Sequence, residues 1–189
     1  MEGTDIKPGI LKCAVDELGM AEDAKKRNSA VAIVQVNTGL PLYTHCSHVS
    51  SLAMEQIDVL LGHGANPKRV VIRHVSRRME VDYLESLLKR GVHICIEQSH
   101  DGDEEKVAGA VLELCKRGYA KQLLFSHDRC LYNEFATPGK SRVHIPEQVH
   151  VKSYSVVSQI LIPAYLQARC SKEECEDFVR GNAMRFLNV

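Results

Sequence analysis

The chain lacks several things, and each absence narrows what it can be. It has no surplus of positive charge: 24 Lys and Arg balance 24 Asp and Glu. A phosphate backbone would therefore find nothing to draw it in, and nucleic acid is excluded as the expected partner. No apolar run approaches the ~20 residues of a membrane span. The opening "MEGTDIKPG" lacks the basic-then-apolar pattern of a signal peptide. No strand candidate is followed by a glycine-rich turn, so neither a dinucleotide fold nor a phosphate-binding loop is supported. The spacing Cys170-SKEE-Cys175 matches no common zinc pattern. Seven cysteines is an odd count, most of them within apolar segments. They read as reduced thiols, and the expected compartment is the cytoplasm.

What remains is a chain of 189 residues, 44% hydrophobic and 25% charged. That is enough for one domain, spanning 1–189, with a sizeable core. Short β-rich runs alternate with longer helical patterns. The strand candidates are "GILKCAV" (9–15), "PLYTH" (41–45), "RVVIRH" (69–74), "VHICIEQ" (92–98) and "QLLFSHD" (122–128). Between them the periodicity predicts helices over 22–37, 52–63, 80–90 and 104–117. Glycines 39, 62, 64, 91 and 118 stand near their ends. A loop with Pro138, Gly139 and Pro146 follows, then two helices over about 152–168 and 171–180.

The strands are near-continuous apolar runs, as expected where helices cover a sheet. Strand–helix alternation implies parallel pairing with right-handed crossovers. Successive polar strand tips fall near 12, 45, 74, 97 and 128. A (β/α)₈ TIM barrel of about 250 residues keeps a beat of about 30 residues per unit, and this chain keeps it too. The fold class is α/β, a partial (β/α)₈ barrel of five βα units with C-terminal helices.

Chemistry in such folds sits at the C-terminal strand ends. Here those ends hold His45, His74, Glu97-Gln98 and Asp128, with Lys12 expected to be buried inside the first strand. Imidazole and carboxylate in one series outline a metal site that keeps a position open for water. Lys12 has two readings. It pairs with Asp128 or Glu97 or reaches the barrel mouth, or it is kept neutral enough to add carbon dioxide and bridge two metals as a carbamate. The remaining histidines, 48, 63, 93, 100, 127, 144 and 150, read as surface or packing residues. Strand alternation turns His127 away from the interior. Arg129, Tyr132 and Arg142 are available to line a pocket, or belong to a solvated loop.

"GILKCAV", "YTHCS", "RVVIRHVSRR", "VHICIEQ" and "LLFSHD", in this order and spacing, resemble the phosphotriesterase family of the amidohydrolase superfamily. "GNAMRFL" is similar to that family's closing helix, with Ala183 where proline is usual. The resemblance implies a metal-dependent hydrolase of phosphotriester, lactone or related ester bonds in small molecules, working through a metal-activated hydroxide. Zinc is the expected ion. By the resemblance Lys12 is the carbamylated bridge, His45 and His74 bind the more exposed metal, and Asp128 binds the buried one and accepts a proton. The five units correspond to strands 4–8 of the family barrel. The family's first strand carries a His-x-His pair for the buried metal, and this chain contains no His-x-His. About one ion is therefore expected here, against two in a complete site, with impaired hydrolysis. Five strands cannot close an eight-stranded barrel, and the outer two would expose apolar edges. The sequence is then a piece of a longer product, or completed by a second chain or a further copy, or a poor folder. The alternative function is a non-catalytic remnant that associates with another chain. Glu97-Gln98 stands where lactone-hydrolysing relatives often carry arginine, which leaves the substrate open.

Overall fold

A computed structural model describes residues 3–16, 18–47, 52–75, 79–97, 104–128, 132–133, 143–144, 155 and 157–188. His48, Gln98, His100, Arg129, Arg142, His150 and the side chains of Tyr132 and His144 lie outside what is described. Five strands, β1 (Leu11–Val15), β2 (Leu42–Cys46), β3 (Val70–Ile72), β4 (His93–Glu97) and β5 (Leu123–Ser126), form one parallel sheet in that order. Between them run α1 (Glu22–Thr38), α2 (Leu52–Gly62), α3 (Val81–Leu88) and α4 (Glu104–Lys116). A two-stranded antiparallel pair follows, β6 (Tyr132–Asn133) with β7 (Val143–His144). The C-terminal helices are α5 (Ile162–Gln167), α6 (Lys172–Glu176) and α7 (Asn182–Leu187), with π-helical turns at Val157–Leu161 and Asp177–Gly181.

The local sequence explains the element ends. Glu22 and Asp23 place negative charge at the positive end of α1. Gly39 closes that helix at φ 68°, a left-handed conformation cheap only for glycine, and its N–H bonds Gln35 O. Ser171 and Glu174 cap α6 reciprocally, each side chain accepting the other's backbone N–H. The final helical run continues to Leu187 rather than stopping near Arg180. The π-turn at Asp177–Gly181 carries it through glycine instead of ending it.

Alternation along the strands gives the sheet two faces. Cys13, Val15, Leu42, Ile72, Ile94, Ile96 and Leu123 face the helices and join the main core. The opposite, inner face carries a smaller cluster of Val71, Cys95, Leu124 and Phe186, against which Tyr43 and Ala183 pack. Helix α7 thus plugs the inner face from below, and its Asn182 donates to Ala120 O (2.8 Å) and Leu123 O (2.7 Å) to hold it there. β3 is buried on both faces, which is why its sequence is an unbroken apolar run.

Two expectations need correction. Lys12 is exposed, not buried: it projects from the inner face of β1, which is an edge strand. β3 ends at Ile72 and β5 at Ser126, so His74 and Asp128 stand two residues beyond their strands. Both take positive φ, 61° and 45°. Those left-handed turns release them from strand alternation.

Candidate metal centre

The register puts Lys12 beside Tyr43, Ala14 beside His45, and Tyr43 beside Val71. Lys12, Tyr43, His45 and Val71 therefore share the inner face, and by alternation Arg73 points the same way. On the far side, Cys95 pairs with Leu124 and Glu97 with Ser126. Glu97 is the last residue of β4 and is buried. A carboxylate there needs partners, and it has them. Arg73 Nε donates to Glu97, and the His74 backbone N–H donates to Glu97 Oε2 at 3.2 Å. His74 Nδ1 lies 2.7 Å from the same oxygen.

The left-handed turn at His74 makes this possible. In a continuing strand, Arg73 and His74 would face opposite sides of the sheet. With φ at 61°, both side chains reach the same carboxylates. Asp128 arrives from the β5 side. Its Oδ1 accepts from Arg73 Nη2 at 2.6 Å, and its Oδ2 lies 3.6 Å from His74 Nδ1. One ligand atom from each of His74, Glu97 and Asp128 falls within 4.8 Å of the others. His45 packs its ring edge-on against His74, with 4.4 Å between centroids. Lys12 sits one layer lower. Its Nζ donates to Thr44 O at 3.4 Å and lies 5.5 Å from the centroid of the Tyr43 ring, which Arg73 also covers at 5.1 Å.

The local charges follow from this crowding. Partial desolvation of its amine against the inner face, and then the Arg73 charge, hold the Lys12 ammonium below its usual pKa. Burial, then His74 and Lys12, hold the His45 imidazole below its own. For Arg73, burial alone would lower the pKa, but the Glu97 carboxylate overrides it and the net shift is upward. Burial pushes the Cys13 and Cys95 thiols up to about 12, so neither offers a thiolate.

Of the residues singled out in the sequence, His74 and Asp128 meet directly, His45 meets His74 edge-on, and Lys12 faces the group from the edge strand. Sequence reasoning placed Glu97 among the polar strand tips, as a possible partner of Lys12, but not among the metal ligands, and it left Arg73 out. The signal for Glu97 was its parity with Cys95 at the end of a buried strand. The signal for Arg73 was a charge at the close of an apolar run. His127 lines a cavity of about 330 Å³ with Phe125, Val157 and Phe178, on the helix side of the sheet.

One imidazole nitrogen and two carboxylates form a donor set that suits a divalent cation. Residues 1–187 match the sequence profile of the Phosphotriesterase family. The chain belongs to the phosphotriesterase family. It is 30% identical over 190 residues to a phosphotriesterase homology protein of Mycobacterium tuberculosis, covering 97% of this chain and 56% of that protein. It is 29% identical over 192 residues to an aryldialkylphosphatase of Saccharolobus solfataricus, covering 100% of this chain and 60% of that one. The solved structure of the phosphotriesterase from Mycobacterium tuberculosis superposes with a TM-score of 0.84 at 29% identity, covering 96% of this chain and 56% of that one. The chain thus spans a little over half the length of these relatives, and its five-stranded sheet corresponds to part of a TIM barrel. Among the described residues, no helix is long and apolar enough to cross a membrane.

Proposed function

We propose that residues 1–189 form one incomplete-barrel domain that hydrolyses phosphotriester, lactone or related ester bonds of small molecules, weakly, with about one divalent ion. The observation that carries this reading is the meeting of His74, Glu97 and Asp128 donor atoms within 4.8 Å at the C-terminal strand ends. His74, Glu97 and Asp128 would hold the ion, with His45 as a second imidazole beside it. When bound, a zinc-like ion supplies Lewis acidity: it polarises a carbonyl or phosphoryl oxygen and acidifies water.

The chain's own groups do the rest. Asp128 is the most open carboxylate of the group, at 33% side-chain exposure, and can accept a proton at the mouth of the site. Glu97 orients the His74 imidazole through Nδ1. Tyr43 supplies an apolar floor. A Lys12 held below its usual pKa is more often neutral, the form that adds carbon dioxide to become an anionic ligand. Weak turnover is proposed because this chain contains no His-x-His pair for a second ion, and because Arg73 competes for the same carboxylates. The free cysteines of the described chain fit a reducing compartment, and we take that to be the cytoplasm.

Hydrolysis of a phosphotriester and of a lactone, with added zinc, cobalt or manganese and with bicarbonate, tests this. Slow metal-dependent turnover lost in Asp128→Asn is expected. Metal-independent turnover, or turnover untouched by that substitution, would overturn the assignment.

A second reading is that the chain is non-catalytic and associates with another chain or a further copy. It is favoured by the outer edges of β1 and β5, the two ends of the sheet, which pair with no further strand among the described residues. Sedimentation of the pure protein separates the two readings: assembly without metal-dependent turnover supports the second.

A further inference from the structure

A second group of metal-ligand atoms lies behind the sheet. We propose that Cys115, Cys170 and Glu174 form a sulfur-rich site for a thiophilic divalent ion of the zinc class, separate from the strand-end centre. One ligand atom from each falls within 4.8 Å of the others. For zinc–sulfur bonds of about 2.3 Å, tetrahedral geometry places neighbouring ligand atoms roughly 3.8 Å apart. The cluster is close to that spacing before any ion draws it in.

Three separate pieces of chain build it. Cys115 stands in the last turn of α4. Cys170 lies between α5 and α6, and its N–H donates to Tyr165 O at 2.9 Å. The preceding residue, Arg169, holds a left-handed φ of 74° and turns the chain back there. Glu174 is fixed by the α6 cap: its Oε2 accepts from Ser171 N at 2.7 Å. Capping uses one carboxylate oxygen, and the carboxylate still has a ligand atom within 4.8 Å of the Cys115 and Cys170 sulfurs. Capping explains Glu174 but not the convergence of two sulfurs upon it.

A further observation points to a ligand. Tyr165 is fully buried, and its hydroxyl has no hydrogen-bond partner among the described residues. A buried hydroxyl left unpaired is costly. Its residue is tied to the cluster by the Cys170 N–H on Tyr165 O, and after burial the thiols of Cys170, Cys175 and Cys115, once ionised, are what would push its hydroxyl pKa up. Burial holds both thiols protonated while no ion is bound, so an ion would bind with the release of two protons to solvent; two thiolates and a carboxylate then leave a fourth tetrahedral position, open to water or to this hydroxyl.

The site would fasten α4 to the C-terminal helices. Tyr165 also stacks with Phe125 of β5 and with Phe178, at 5.3 and 5.8 Å between centroids. An ion there would stiffen the wall behind the strand that leads to Asp128. The spacing Cys170-SKEE-Cys175 concealed this, because the second sulfur comes from Cys115, in a different helix.

Reduced full-length protein titrated with cobalt(II) tests the proposal. A thiolate-to-cobalt charge-transfer band is expected in the wild type and in His74→Ala, and its loss is expected in Cys115→Ser and in Cys170→Ser. On the wild-type chain, where folding is not in question, zinc should shield Cys115 and Cys170 from alkylation, read by peptide mapping. No charge-transfer band, a band that survives the double Cys115→Ser, Cys170→Ser substitution, or unchanged alkylation in zinc would overturn it.

Discussion

Arg73 Nη2 lies 2.6 Å from Asp128 Oδ1, so a guanidinium already occupies a carboxylate offered to a metal. The same side chain pairs with Glu97, whose side chain is 2% exposed. Arg73 therefore supplies positive charge to the group without an ion. Replacing it by Leu should have two opposite effects. Depriving a buried carboxylate of this partner should cost about 3 kcal/mol of folding stability. The freed carboxylates should bind a divalent ion more tightly. Chemical denaturation and a metal titration of Arg73→Leu check both. Lower stability with weaker metal binding would show that Arg73 positions the ligands rather than competing for them.

His93, at the start of β4, makes stability sensitive to acid. Burial, with Arg185 nearby, lowers its pKa from 6.5 to about 4, and the Phe186 ring packs on it at 5.2 Å. The folded state disfavours the charged imidazole. Its contribution is therefore fully present above pH 6.5 and is lost as pH falls from 6.5 towards 4. The shift corresponds to about 3 kcal/mol at most. Urea midpoints at pH 7 and pH 4.5 should differ more for the wild type than for His93→Gln. Equal differences would remove His93 as the cause.

Lys12 modification can be read directly. With ¹³C-bicarbonate, the wild type should give a carbamate carbonyl resonance that Lys12→Arg lacks. The resonance should weaken as pH falls, because protonated amine does not add carbon dioxide. A resonance that persists in Lys12→Arg would belong to another lysine. No resonance at all would leave Lys12 as the simple cation that donates to Thr44 O.

The five-unit rhythm was legible because each strand is an apolar run bounded by glycine or polar residues, a signal clearest at β3, which is buried on both faces. The strand tips were legible to within two residues. What the pattern could not carry was the turn at His74. A φ of 61° there depends on Glu97, 23 residues later, receiving both its N–H and its imidazole. The Arg73–Glu97 pair is likewise a product of register between neighbouring strands. Lys12 looked buried because it lies within an apolar strand, and it is exposed because that strand is an edge. Periodicity ended a helix near Arg180, although "GNAMRFL" resembled a closing helix, because a π-turn lets Gly181 sit inside one continuous helical run.

As proposed, His74, with Glu97 and Asp128, should hold one divalent ion. The most direct test is zinc content after dialysis, measured in a Cys115→Ser background so that sulfur ligation does not contribute. The account predicts about one ion per chain, lost in His74→Ala and in Asp128→Asn while far-UV circular dichroism is unchanged. Absence of zinc from the parent, or an ion that survives both substitutions, would contradict it.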